Sequence, residues 1–111
     1  MSETPNLFDE ALQSDNERDA LTERWFALTR QTLPSLAKER DWPVDLDHCF
    51  MRILLDNAFG GAWREFVDPP AYRNAPLDIL KRAMEIGEEI AACEADIWEL
   101  NRRSLKWRGK I

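Results

Sequence analysis

The chain has few of the residues that build disulfide frameworks and metal sites. It contains two cysteines and one histidine in 111 residues. Cys49 and Cys93 lie far apart, and there is no Cys-x-x-Cys pair or other zinc-ligand spacing. We therefore expect two free thiols, with no metal and no cofactor.

Long apolar runs are also absent. No segment approaches the roughly 18 consecutive apolar residues of a membrane span, and the first ten residues are polar and acidic, unlike a secretory leader. Free thiols are typical of a reducing compartment. The sequence therefore favours a cytoplasmic protein that does not enter a membrane.

Alternating strand patterns and internal repeats are missing, whereas apolar residues return every three to five positions. A hydrophobic content of 44% is typical of globular chains, and five Trp and five Phe supply large buried surfaces. We predict an all-α fold, a small bundle of three or four helices with a long C-terminal helix. Residues 1–16 are predicted to be a flexible leader and residues 17–111 a single helical domain. The predicted core consists of Trp25, Phe50, Leu54, Phe66, Leu80, Ile90 and Trp98.

The first predicted helix begins near Glu17 and ends by Asp41. Pro34 lies inside its apolar pattern, so we expect a kink or break near Thr32. The next helix is predicted to be capped by Asp45 or Asp47.

Glycine and proline divide the rest of the chain. The pair at 60–61 is expected to end the second helix, and a short helix is expected at 62–67. Asn74 is predicted to cap the last helix, with Pro76 in its first turn. Continued to Lys106, that helix would span about 48 Å, more than the diameter of about 26 Å expected for such a domain. We therefore expect it to break near Asn101 or to project from the bundle.

The charge of the chain reverses at its C-terminal end. Residues 101–111 hold five basic side chains and no acid, whereas residues 1–100 hold ten basic side chains and all 21 acids. Such a segment can fold back on the acidic body, complement a helix dipole, or bind an acidic protein with an indole as anchor. Phosphate contacts with base stacking are a further alternative. The candidate partner-binding residues are Arg102, Arg103, Lys106, Trp107 and Arg108.

A second candidate cluster begins at the single histidine. His48, Arg52 and Asp56 are spaced four residues apart and share one helical stripe. Asp56 would orient Arg52, and His48 would act as an acid, a base or an anion contact. The alternative is a solvated helix face.

Three further residues belong to this second cluster. Trp63, Tyr72 and Arg73 flank the glycine and proline pairs. A rigid loop with aromatic and cationic side chains suits a ligand or a partner, whereas rings that close the base of the core are the alternative. No catalytic residue is assigned.

Several segments resemble a group of short bacterial proteins of the alphaproteobacterial type. They are H-C-F-x-R-I-x-L-D-N at 48–57, Trp63, P-A-Y at 70–72 and L-N-x-x-S-L-x-W-R-G-K at 100–110, and they run through a little over half the chain. Some members of that group carry the label of GNAT-superfamily acetyltransferases. The label implies a mixed α/β fold with a [QR]-x-x-G-x-[GA] loop for acetyl-CoA; this sequence has neither predicted strands nor that loop.

The sequence thus favours a small cytoplasmic binding or regulatory protein over an enzyme. We expect it to act on a protein partner through its helical surface and cationic C-terminus. A nucleic-acid-binding module that uses the basic segment is one alternative, and an acetyltransferase-like group transferase that uses His48 is another. A homodimer stays open, because an apolar stripe on an overlong helix is a common dimer interface.

Overall fold

A computed structural model describes the backbone of residues 7–111 and the side chains from Asn16 onward. Every regular element in this part of the chain is helical, which confirms the all-α class. Residues 1–6 of the expected leader lie outside the described residues. The elements are α1 (Leu7–Ala27), a π-helical turn (Leu28–Thr32), α2 (Leu33–Glu39), α3 (Asp47–Phe59), a 3₁₀ turn (Trp63–Glu65), α4 (Ala71–Asn74), α5 (Leu77–Ala91) and α6 (Ile97–Trp107).

The elements from α1 to α2 follow one another without a loop. Near Thr32, where a kink or a break was expected, the helix does not break but continues through the π-helical turn. Proline at position 34 has no backbone N–H to continue the α-helical ladder. The backbone N of Leu33 instead bonds to the oxygen of Leu28, five residues earlier. The start of the first helix differs from the expectation, because α1 begins at Leu7 and not near Glu17.

The central helix is α3, against which α2, the π-helical turn, the 3₁₀ turn, α5 and α6 all pack. Its side chains Phe50, Ile53 and Leu54 are fully buried. The predicted glycine stop is confirmed, since Gly60 caps α3 at φ 81°, a left-handed conformation that glycine adopts without strain. The cap expected at Asp45 or Asp47 is wrong, because Leu46 occupies the cap position of α3 without a side-chain cap hydrogen bond. Asp47 is the first residue of α3 and accepts a hydrogen bond from the backbone N of His48 at 2.8 Å.

Helix α5 passes close to α3 and to the π-helical turn. A Cβ atom at Gly87 would lie 3.0 Å from Cδ1 of Leu54 and would clash with Leu28. The expected cap of this helix is wrong, because Asn74 is the last residue of α4, and Pro76 occupies the cap position of α5.

The prediction of a single long C-terminal helix is also wrong. Helix α5 ends at Ala91, earlier than the break expected near Asn101, and residues 92–96 connect it to α6. Cys93 adopts a left-handed conformation at φ 62°. Asp96 then caps α6 by accepting a hydrogen bond from the backbone N of Trp98 at 3.0 Å.

Two predicted core residues lie at the surface. Phe66 is 53% exposed and stacks on Phe59 with a centroid distance of 5.1 Å, and Trp98 is 49% exposed. Trp98 points outward because Ile97, one position earlier on α6, faces the core. The other five predicted core residues are buried.

Candidate functional site

Helix α6 docks on α3 through a face that is largely polar. Ile97 and Ser104 are buried, and Leu100, Asn101 and Arg108 are half-buried. These positions recur every three to four residues and therefore line one side of the helix. Hydrogen bonds must accompany such a contact, because burying unpaired polar groups costs free energy.

The carboxylate of Asp56 lies at the centre of this contact and is fully buried. Its Oδ2 accepts hydrogen bonds from Ser104 Oγ at 2.6 Å and from Arg108 Nε at 2.6 Å. Its Oδ1 accepts from Arg108 Nη2 at 3.0 Å and from the backbone N of Trp63 at 2.9 Å. Four donors thus offset the cost of burying the charge. The hydrogen bond to Asp56 raises the pKa of Arg108, against a smaller lowering by burial.

The second polar residue of α3 at this contact is Arg52. It donates from Nη1 to Ser104 Oγ at 2.7 Å and from Nη2 to Asn101 Oδ1 at 2.9 Å. The expectation that Asp56 orients Arg52 is therefore wrong, because each of the two binds α6 instead. Asn57 adds a third link by donating to the backbone oxygen of Leu100 at 2.9 Å. We call these contacts between α3 and α6 the crossing network.

The ring of His48 does not join the crossing network. It is exposed, and its Nδ1 lies 3.6 Å from Oδ1 of Asp47. Within the described residues, no three His, Cys, Asp or Glu side chains are grouped as metal ligands.

The remaining residues of the second candidate cluster have different neighbours. Trp63 lies beside α3, with the guanidinium carbon of Arg64 5.3 Å from its ring centroid. The Tyr72 ring meets Phe26 of α1 edge-on at 5.0 Å. Arg73 is exposed on α4. The backbone N of Trp63 donates a hydrogen bond to Asp56. Among the described residues, neither Tyr72 nor Arg73 makes a hydrogen bond to the crossing network.

The side of α6 that faces away from α3 carries most of the basic segment. Arg102 and Arg103 are exposed, and both pair with Glu99. Lys106 is exposed and has no carboxylate within ion-pair distance among the described residues. Trp107 is 39% exposed at the edge of this surface. We call the surface formed by Glu99, Arg102, Arg103, Lys106 and Trp107 the outer face.

Of the five predicted partner-binding residues, Arg108 alone is turned inward. The other four lie on the outer face. Sequence reasoning missed Asn101 and Ser104 as partners of α3. A signal was present: Asp96 and Glu99 have the spacing of a capping box, which marks a helix start at 97. A helix that starts there places positions 97, 101, 104 and 108 on one side.

The two longest motif segments of the sequence meet at the crossing network. Arg52, Asp56 and Asn57 belong to the segment 48–57, and their partners on α6 belong to the segment 100–110. Comparison of the chain with family models, with curated proteins and with solved structures gave no match. The resemblance to short bacterial proteins, with its acetyltransferase label, stays a prediction.

Proposed function

We propose that this chain is a small cytoplasmic binding protein that engages an acidic surface of a protein partner through the outer face. The observation that carries the proposal is the division of α6 into two sides. Ser104 and Arg108 bind Asp56, whereas Arg102, Arg103 and Lys106 point to solvent. The solvent side is thus not needed to hold the helix in place.

The composition of the outer face suits a protein interface. Arg and Trp are enriched among the residues that dominate binding energy at such interfaces. The outer face supplies two arginines, one lysine and a half-exposed indole against a single carboxylate. Glu99 pairs with both arginines, which brings their planar guanidinium groups together on this face.

Of the three cations on the outer face, Lys106 is the most available to a partner. It lies one turn from Arg102 and beside Trp107, and it has no ion-pair partner among the described residues. A partner carboxylate at this position would gain an ion pair without breaking one within the chain.

The experiment is affinity capture from a cell lysate, with nuclease treatment as a second arm. The outer-face variant combines Lys106→Glu with Trp107→Ala. The matched control combines Lys38→Glu on α2 with Leu46→Ala before α3, which also removes one exposed cation and one exposed apolar side chain. Truncation is unsuitable because it would remove the crossing network.

The captured protein is then purified and its Kd for each chain is measured. We expect the control to bind like the wild type, and the outer-face variant to bind at least about tenfold more weakly. Melting curves establish that both variants are folded. Equal affinity for the outer-face variant contradicts the proposal. Capture of nuclease-sensitive material alone also contradicts it and supports the nucleic-acid alternative.

A further inference from the structure

A cleft separate from the outer face lies between the segment 40–42, which follows α2, and the turn that joins α5 to α6. Its floor includes the buried side chains Ile90 and Ile97. Two indoles and two carboxylates stand around this floor: Trp42 and Trp98, and Asp41 and Asp96.

The two carboxylates make the cleft attractive to a cation. Neither Asp41 nor Asp96 has a lysine or arginine nitrogen within ion-pair distance among the described residues. Asp96 Oδ1 accepts from the backbone N of Trp98 at 3.0 Å, so this carboxylate is held next to the base of the indole. The one cationic residue of the cleft wall, Arg40, leaves the lining acidic by one charge.

The indoles add a second attraction for a cation, because Trp is the side chain with the strongest cation–π interaction. The guanidinium carbon of Arg40 already lies 5.4 Å from the ring centroid of Trp42. Trp98 is 49% exposed, and no described arginine lies over its ring. About half of the Trp98 side chain is therefore accessible to a ligand in the cleft.

We propose that this cleft binds a small quaternary ammonium ion such as choline. The apolar floor and the indoles favour a cation that gives up its water easily, whereas a bare ammonium group is compact and strongly hydrated. A quaternary ammonium group would place methyl groups against the indole of Trp98 and hold its charge in the cleft that Asp41 and Asp96 line. This site uses no residue of the outer face and is independent of the proposed function.

The test is a titration of choline into the ¹⁵N-labelled protein at constant ionic strength, followed through the five indole N–H signals. Each signal is assigned with a Trp→Phe variant. We expect saturable shifts of Trp42 and Trp98 at about millimolar concentration, and unmoved signals for Trp25, Trp63 and Trp107. The neutral isostere 3,3-dimethyl-1-butanol is expected to shift none of them.

Substitutions identify the groups that bind. Trp98→Ala is expected to raise the Kd for choline about tenfold, and Asp41→Asn several-fold. The matched controls Trp107→Ala and Asp45→Asn are expected to leave it unchanged. No shift with choline, equal shifts with the neutral isostere, or an unchanged Kd in Trp98→Ala would each overturn the proposal.

Discussion

Arg108 donates two hydrogen bonds to the carboxylate of Asp56, from Nε at 2.6 Å and from Nη2 at 3.0 Å. The two residues lie 52 positions apart in the chain. This pair fixes the C-terminal end of α6 against α3. One of the five cations of the basic segment is thus a structural residue, and the segment is divided between holding the fold and facing solvent.

Arg108→Gln is expected to destabilise the fold by about 3 kcal/mol, because it leaves the buried carboxylate of Asp56 without its charged partner. The expected loss is at the low end of the usual cost because the Arg108 side chain is 24% exposed and water can enter. Urea denaturation measures the change. The control is Arg103→Gln, which removes a surface pair with Glu99 and should cost under about 1 kcal/mol. Equal small losses in both variants would show that the Asp56 pair contributes little.

The stability difference between the wild type and Arg108→Gln is expected to be constant between about pH 7 and about pH 10. The pKa of Arg108 is raised in the folded state by its hydrogen bond to Asp56. A raised pKa contributes stability that is fully present below the unfolded-state pKa and is lost only as the pH rises through the folded-state value. For an arginine, both lie above this range. Denaturation curves of both proteins at about pH 7 and about pH 10 test this prediction. A stability difference that shrinks toward the higher pH would assign the effect to another group.

Ser104→Ala is expected to cost about 2 kcal/mol, because Ser104 Oγ donates to the buried Asp56 carboxylate and accepts from Arg52. Both partners are charged, so the hydroxyl is worth more than a surface serine. The control Ser35→Ala, at an exposed position of α2, should change the unfolding free energy by less than about 0.5 kcal/mol. Indistinguishable midpoints and slopes of the urea denaturation curves of the two variants would contradict the hydrogen bonds of Ser104 to Asp56 and Arg52.

Gly87→Ala is expected to destabilise the fold by about 2 kcal/mol, although alanine gains about 1 kcal/mol in helix propensity over glycine. The added methyl group would clash with Leu28 and crowd Leu54. Shortening Leu28 should relieve the clash. In a double-mutant cycle with Leu28→Ala, the combined loss should therefore be smaller than the sum of the single losses. Simple additivity would place α5 and the π-helical turn further apart than the structure does.

Local signals in the sequence were sufficient for the helical class and for much of the core. Trp25, Phe50 and Leu54 were expected in the core, and all three are buried. Gly60 ends α3 as expected. The break at 92–96 was missed because its alanines favour helix and the apolar stripe resumes at Ile97. The capping spacing of Asp96 and Glu99 was the one signal for a new helix.

The crossing network was beyond the reach of a single sequence. Helical spacing placed Arg52 and Asp56 on one stripe, which suggested that they bind each other. The partner that each of these two side chains meets depends on how α6 crosses α3, and this crossing joins residues 43 to 52 positions apart. The charge pattern of the basic segment does not distinguish the inward side chain of Arg108 from the outward side chain of Lys106.

The Asp56 carboxylate holds α6 on α3 and thereby positions the outer face. Amide hydrogen exchange of Asp56→Asn tests it most directly, with Asp47→Asn on the same helix as the control. We predict that amides of α6, such as those of Ser104 and Leu105, exchange much faster in Asp56→Asn while those of α5 keep their protection. The control should exchange like the wild type. If the amides of α6 keep wild-type protection in Asp56→Asn, the carboxylate of Asp56 does not hold α6 on α3.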